Sequence, residues 1–438
     1  MTRTAKFLAE LIALPSVNPA FLPAGDPRTG EARVAAFLLD SARQAGRHFL
    51  QIPGPSPVPD RVLAALSMPI IDHRGPEFAK LAKKALEGIK TIFKTNNPVI
   101  IYTATGTGAW EAALTNTMSP GDRVLMVETG QFATLWKKMA ERMGLKPEFI
   151  ATDWRQGADP KAIEAKLKED KNKEIKAVCV LHNETSTGAL TPIAEIRKAI
   201  DAAGHPALLM VDTISSLASA DYRHDEWGVD VSVGGAQKGL MLPPGMSFNA
   251  ISDKALKANQ SSKLPKSFYA WDDMLNMNKQ GFFPYTPATQ MLYALNVGIE
   301  MLHEEGLDNV FARHNRLAEA TRRAVAAWGL ENLNKNPKQV SPTITAILLP
   351  EGHDADKFRA LALETFNISY GASFGPYAGK YFRIGHLGDI NDGTLIGALG
   401  ITEMALSVAG IPHKKGGVQA AMDYITSVHA GGARAAAE

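Results

Sequence analysis

Residues 175–188 read IKAVCVLHNETSTG. Positions 175–181 form an apolar stretch, and the polar quartet His182-Asn183-Glu184-Thr185 closes it. The same grammar repeats downstream. An apolar stretch at 207–211 ends at Asp212, and another at 229–233 is followed by Gln237-Lys238. Between the first two, Thr191-Pro192 opens a helical pattern with Ile193, Ile196 and Ile200 on one face and Gly204 as its stop. Upstream, Asp159-Pro160 is a cap and first-turn pair for a helix over 161–168. Strands apolar on both faces, alternating with helices, predict a parallel sheet in an α/β domain. Ligands of such sheets sit at the carboxyl ends of the strands, so the three polar strand ends should converge at one edge.

The rest of the chain is organised around this domain. Its 438 residues, 45% hydrophobic, allow a large core and two or three domains. Residues 1–46 read differently, with helical patterns at 7–14 and 31–45 and a Pro/Gly-rich loop between them. Phe49-Leu50-Gln51-Ile52 starts anew, and Pro53-Gly54-Pro55 forces a turn. After about residue 305 the pattern becomes helices at 310–327 and 392–409 with short strands near 343–349 and 381–384. The expected division is an extension at 1–46, a large domain at 47–305, a smaller α+β domain at 306–425 and a frayed tail at 426–438. No internal repeat is visible.

Several function classes are disfavoured. Lys and Arg total 47 against 45 Asp and Glu, so no basic field points to nucleic acid. The single cysteine, Cys179, excludes an intramolecular disulfide framework and a cysteine-built metal cluster, and no metal is expected. No apolar run approaches the roughly 20 residues of a membrane span, and the N-terminus lacks the pattern of a secretory signal. The expected location is the cytoplasm.

An acid at one strand end and a lysine past another suit pyridoxal-phosphate chemistry. The lysine joins the cofactor covalently, and the acid pairs with the pyridine nitrogen so that the ring accepts electrons. Asp212 reads equally as a helix cap, and a lone lysine is most often a solvated loop residue. The glycines at 234 and 235 and Pro243-Pro244-Gly245 shape a tight loop around Lys238 that a surface lysine would not need. Thr105-Gly106-Thr107-Gly108 lies between an apolar strand at 99–102 and a helix at 110–117, where helix-start amides can bind a phosphate. This loop is a weak signal; it is neither a Walker motif nor the dinucleotide fingerprint. Arg383, in Phe382-Arg383-Ile384-Gly385, offers a planar fork for a carboxylate, or else a surface ion pair.

Taken in order, these stretches resemble the class V aminotransferases, closest to their serine–glyoxylate branch, from about Gly46 to Gly417. The carrying stretches also include Asp72-His73-Arg74, Ala109-Trp110-Glu111, Ser186-Thr187-Gly188, Ala236 through Gly245, and Pro284-Tyr285-Thr286-Pro287. The resemblance implies fold type I, pyridoxal 5'-phosphate as cofactor, and a homodimer with shared sites. It implies Lys238 as the cofactor lysine and proton carrier, and Asp212 at the pyridine nitrogen. Phe132 would stack on the ring and Thr185 would bond its 3′-oxygen. Thr105, Gly106, Thr107, Gln237 and Tyr285 would hold the phosphate, with Thr286 reaching in from the partner. Ile214 would line the cofactor, and Arg383 would bind the substrate α-carboxylate. Two departures stand out: Thr105 replaces a frequent serine, and Phe283 replaces a phosphate-binding tyrosine for which Tyr285 could substitute.

The implied reaction is transfer of the amino group of L-serine to glyoxylate in two half-reactions, with alanine or aspartate as rival donors. A cysteine desulfurase needs a mobile reactive cysteine, which Cys179 inside an apolar strand does not offer. Residues 11–19 with Gly30-Glu31 resemble the opening of a metallopeptidase family, but no metal-ligand motif follows. The extension is therefore expected to be non-catalytic.

Overall fold

The computed structural model describes residues 48–437. The helical patterns expected at 7–14 and 31–45, and the loop between them, lie outside the described residues.

The central layer is a seven-stranded sheet of β2 (Val99–Tyr102), β3 (Arg123–Val127), β4 (Lys146–Ile150), β5 (Ile175–Leu181), β8 (Leu208–Asp212), β9 (Val231–Gly235) and β10 (Ser247–Ile251). Its order is β2-β10-β9-β8-β5-β3-β4. Only β10 runs against the others, pairing antiparallel with both β2 and β9. Because β8 and β9 are parallel neighbours, with Asp212 opposite Val233, Asp212 and the residues after Gly235 emerge at one edge. His182, after β5, emerges there too, as do the loops after β2 and β3.

The expected strand at 207–211 sits one residue later, and that at 229–233 two residues later. Asp159 caps the helix Pro160–Glu169 by accepting from the Lys161 amide. The helix Ile193–Ala202 buries Ile193, Ile196 and Ile200, and Gly204 follows it with φ +57°. Thr191 does not cap that helix, since Pro192 holds the cap position without a side-chain bond. The helix expected at 110–117 begins a turn earlier, at Gly106, so the glycine loop is its first turn. A β-carbon at Gly106 would lie 2.1 Å from Ile214 Cδ1, so only glycine lets this turn approach the β8 edge.

The C-terminal part contains an antiparallel sheet of β11 (Glu331–Asn332), β12 (Ile344–Leu348) and β14 (Tyr381–Gly385). A two-stranded parallel pair joins β1 (Phe49–Gln51) to β13 (Ile368–Tyr370). The small hairpin β6 (Asn183–Glu184) with β7 (Ala189–Leu190) follows β5. Two main apolar clusters form, one from Val62 to Val310 and one from Leu317 to Ile425, so the change of core falls within the helix Leu307–Trp328. Phe49 packs on the second cluster, so β1 keeps company with the C-terminal part although it precedes the large sheet. Residues 426–437, read from sequence as a tail, continue the helix Gly417–Ala437.

Candidate functional site

Lys238 is 9% exposed although it follows the β9 edge in a loop. Its amine donates to the Pro53 carbonyl. Burial away from water, with the positive Arg383 nearby, lowers its pKa to about 7, against a smaller opposing effect of Asp212. Gly54 lies directly over it. At φ +99°, a β-carbon there would come within 2.4 Å of Lys238 Cδ. The Pro53-Gly54-Pro55 turn is thus a roof on the lysine, anchored by the Ser56 hydroxyl donating to the Lys238 carbonyl at 2.8 Å.

Asp212 is 3% exposed and lacks an ion-pair partner among the described residues. Its carboxylate accepts from the Ile214 amide at 2.7 Å and from the Trp110 indole at 2.8 Å. Trp110 itself stacks on Trp136, with centroids 5.8 Å apart and planes within 12°. Burial outweighs these bonds and pushes the carboxyl up to about 7. The helix-cap reading fails, because turns and no helix connect β8 to β9; the Ile214 bond closes a local turn, and the indole clamp comes from a different element.

Arg383 lies on β14 and is 6% exposed. It is not a surface ion-pair arginine. Nε donates to the Ala372 carbonyl at 2.7 Å, and Nη1 donates to the Thr185 carbonyl at 2.8 Å. The guanidinium sits 4.9 Å from the centroid of Phe374, and Phe374 meets Phe132 edge-on at 6.2 Å. Burial lowers its pKa to about 10, so it stays charged at neutral pH. A buried guanidinium that has no carboxylate partner among the described residues is a ready binding site for one.

The remaining expected residues divide by exposure. Thr105 and Thr107 are exposed beside buried Gly106, and the helix they open has no side-chain cap bond. Gln237 presents a buried Oε1 without a hydrogen-bond partner among the described residues. Ile214 is half-buried against the same turn. The Thr185 hydroxyl donates to Ser215 Oγ at 2.8 Å, so holding a 3′-oxygen requires it to exchange that acceptor. Tyr285 stacks on Phe268 at 4.2 Å, while Phe283 is buried edge-on to Phe78. Thr286 is exposed. An uncapped helix start, a buried acid and a roofed lysine fit a planar, phosphorylated aldehyde with a basic ring nitrogen.

Sequence reasoning passed over Ser215, and it named Pro53, Trp110 and Glu184 within their motifs without giving any of them a role of its own. Trp110 had a signal, since it lies four residues after Gly106 on one helix and so on the same face. The turn at Pro53 was legible, but its contact with Lys238 was not, because it spans 185 residues of sequence.

A family model described as aminotransferase class-V matches residues 48–383. A serine–glyoxylate aminotransferase of Methylorubrum extorquens is 47% identical over 394 residues, spanning 88% of this chain and 98% of that protein. An L-aspartate–glyoxylate aminotransferase of Paracoccus denitrificans is 44% identical over 388 residues, again 88% of this chain and 98% of the relative. Among solved structures, the pyridoxamine–pyruvate aminotransferase of Mesorhizobium loti superposes with a TM-score of 0.82 at 28% identity, covering 88% of this chain and 99% of that one.

Proposed function

The chain belongs to the aminotransferase class-V family, and from that premise we propose that it moves the amino group of L-serine to glyoxylate, giving hydroxypyruvate and glycine. It is a transaminase of fold type I, and its cofactor is pyridoxal phosphate. The observation that carries the reading is the buried pair Lys238 and Asp212 on neighbouring strand ends, with Arg383 beside them and without an ion pair among the described residues. When bound, the cofactor supplies an electron sink for the pair released at the substrate α-carbon.

The protein's residues do the rest. Asp212, held by Trp110 and Ile214, keeps a proton on the ring nitrogen. Lys238 holds the cofactor covalently at rest and carries the proton to and from the α-carbon during each half-reaction. Arg383 turns its fork to the substrate α-carboxylate, and Phe132 stacks on the ring. Thr185 serves the 3′-oxygen, and Ile214 packs beside the ring. Thr105, Gly106, Thr107, Gln237 and Tyr285 hold the phosphate, joined by Thr286 of the partner subunit in a homodimer with shared sites. The exposure of Thr286, Thr105 and Thr107 on the single chain supports a shared site. Among the described residues no helix is long and apolar enough to cross a membrane, in keeping with a cytoplasmic enzyme.

A donor panel of serine, alanine and aspartate against glyoxylate tests the substrate. Serine should give the highest kcat/KM. The relative named an L-aspartate–glyoxylate aminotransferase makes aspartate the second reading, and a preference for it would replace serine. The desulfurase alternative loses its nucleophile, because Cys179 is 2% exposed within β5 and burial pushes its thiol pKa up.

Two variants are informative. Arg383→Lys keeps the charge but loses the two-point fork. Because a charge-assisted bond contributes about 1.5–3 kcal/mol, KM for serine and for glyoxylate should each rise roughly 10- to 100-fold with cofactor binding intact. Loss of cofactor with unchanged KM would give Arg383 a structural role instead. Deleting residues 1–46 should leave cofactor, dimer and turnover largely intact, since the family match begins at residue 48. Size-exclusion chromatography and glyoxylate-dependent turnover check this, and a monomeric or inactive truncation refutes it.

A further inference from the structure

Among the described residues, Glu184 is a buried carboxylate at the strand edge that the reaction above does not use. It is 1% exposed, and among the described residues no lysine or arginine pairs with it. Both of its oxygens are nevertheless hydrogen-bonded. Oε1 accepts from the Ser186 amide at 3.0 Å, the Ser186 hydroxyl at 2.6 Å and the Phe132 amide at 3.4 Å. Oε2 accepts from the Ala133 amide at 3.2 Å. The Ser186 hydroxyl in turn accepts from the Gln131 amide at 2.9 Å. Three successive amides at the start of the helix Gln131–Arg142 thus end on the Glu184–Ser186 turn, and that helix has no cap from its own N-cap residue, Gly130. The positive helix end also offsets the buried negative charge.

The same turn reaches the other half of the site. The carbonyl of Thr185, the next residue, receives Arg383, and the carbonyl of Ser186 receives the Tyr381 hydroxyl at 2.8 Å. That hydroxyl accepts from the Phe374 amide at 3.1 Å, and Phe374 touches both Phe132 and Arg383. The interactions close a ring: Glu184, Phe132, Phe374, Arg383 and back through Thr185.

We propose that Glu184 is a positioning residue of the transamination site, whose carboxylate fixes Phe132 over the cofactor ring while its turn holds Arg383 for the substrate carboxylate. A glutamate suits this task where glutamine does not. Every group facing its oxygens is a donor, so an amide NH2 would oppose an N–H and release the helix start. The inference rests on Phe132 stacking on the cofactor and Arg383 binding the substrate, as assigned above.

The test uses the cofactor-loaded, full-length protein and two readouts other than activity: the cofactor dissociation constant and the visible circular dichroism of the bound cofactor, which reports ring orientation. Glu184→Gln should weaken cofactor binding about tenfold, the effect of removing one charge-assisted hydrogen bond, and change the dichroism. It should also raise KM for both substrates. Phe132→Leu should change the dichroism too, and in that background Glu184→Gln should add little, because both act through one ring. Unchanged binding and dichroism in Glu184→Gln overturn the proposal, as do fully additive effects of the two substitutions. If Phe132→Leu itself changes neither readout, the stacking role of Phe132 fails first and the inference falls with it. Should Glu184→Gln not fold, Ser186→Ala removes one side-chain bond to Glu184 and the acceptor of the Gln131 amide. It should shift the dichroism in the same direction, and no shift there overturns the proposal.

Discussion

Lys238→Ala is expected to give a folded, colourless protein with turnover lowered at least about 10³-fold. Loss of the proton carrier alone removes roughly 10²–10⁴-fold, and loss of covalent attachment adds to it. The wild-type protein should be yellow, and borohydride should fix the cofactor to Lys238 and to no other residue by peptide mass. A variant that stays yellow, reducible and active sinks the assignment. A pH dependence accompanies this. With the amine pKa lowered to about 7, uptake of pyridoxal phosphate by cofactor-free enzyme should speed up as pH rises through 7 and then level off. An ordinary lysine, with a pKa of about 10.4, would still be accelerating at pH 9. The stability of the cofactor-free protein carries the same sign. Between about pH 7 and the ordinary lysine range the unfolded chain holds a proton that the folded chain does not, so stability rises with pH there. Urea unfolding should show this slope in wild type and not in Lys238→Ala.

Asp212→Ala is expected to lose about 10²–10³-fold in turnover, the usual cost of removing one preorganised charge at a reacting centre, and to bind cofactor more weakly. Without a carboxylate the ring nitrogen gives up its proton and the ring is a poor electron sink. Asp212→Asn separates charge from shape. Its single amide oxygen can accept from the Ile214 amide or the Trp110 indole but not both, since these reach different oxygens of Asp212, so it should bind cofactor somewhat more weakly and lose nearly as much turnover as Asp212→Ala. Near-wild-type rates in Asp212→Asn would falsify the role. In cofactor-free protein, the carboxyl raised to about 7 means the folded chain keeps a proton that the unfolded chain releases between about pH 4 and 7. Stability from this group therefore falls as pH rises through that window, opposite to an ion-paired acid, and the slope should vanish in Asp212→Asn.

Much of the site is legible from local pattern. An apolar strand that ends in a polar residue states its own geometry, because parallel strands deliver their carboxyl ends to one edge. Asp212, Lys238 and the quartet from His182 to Thr185 follow from that rule alone. The boundaries of β8 and β9 are less sharply written, since pairing with neighbouring strands, and not side-chain polarity, ends them: Asp212 lies opposite Val233 and Gly235 opposite Ser247. The start of the helix at Gly106 is hidden for a related reason. Glycine is a poor helix former, and only the approach of Ile214 explains why it opens this one.

What the sequence by itself determined is the parallel α/β sheet, the lysine and acid at its edge, and the family. These depend on short-range periodicity and on motifs a few residues long. What only the tertiary structure decided is the state of those groups. The roof of Pro53 and Gly54 on Lys238, the indole of Trp110 on Asp212, the pairing of β1 with β13, and the Glu184 turn that joins Phe132 to Arg383 all link segments distant in sequence. Burial and hydrogen bonding set a pKa or an orientation only once such segments are packed together, so no local pattern in the chain could announce them.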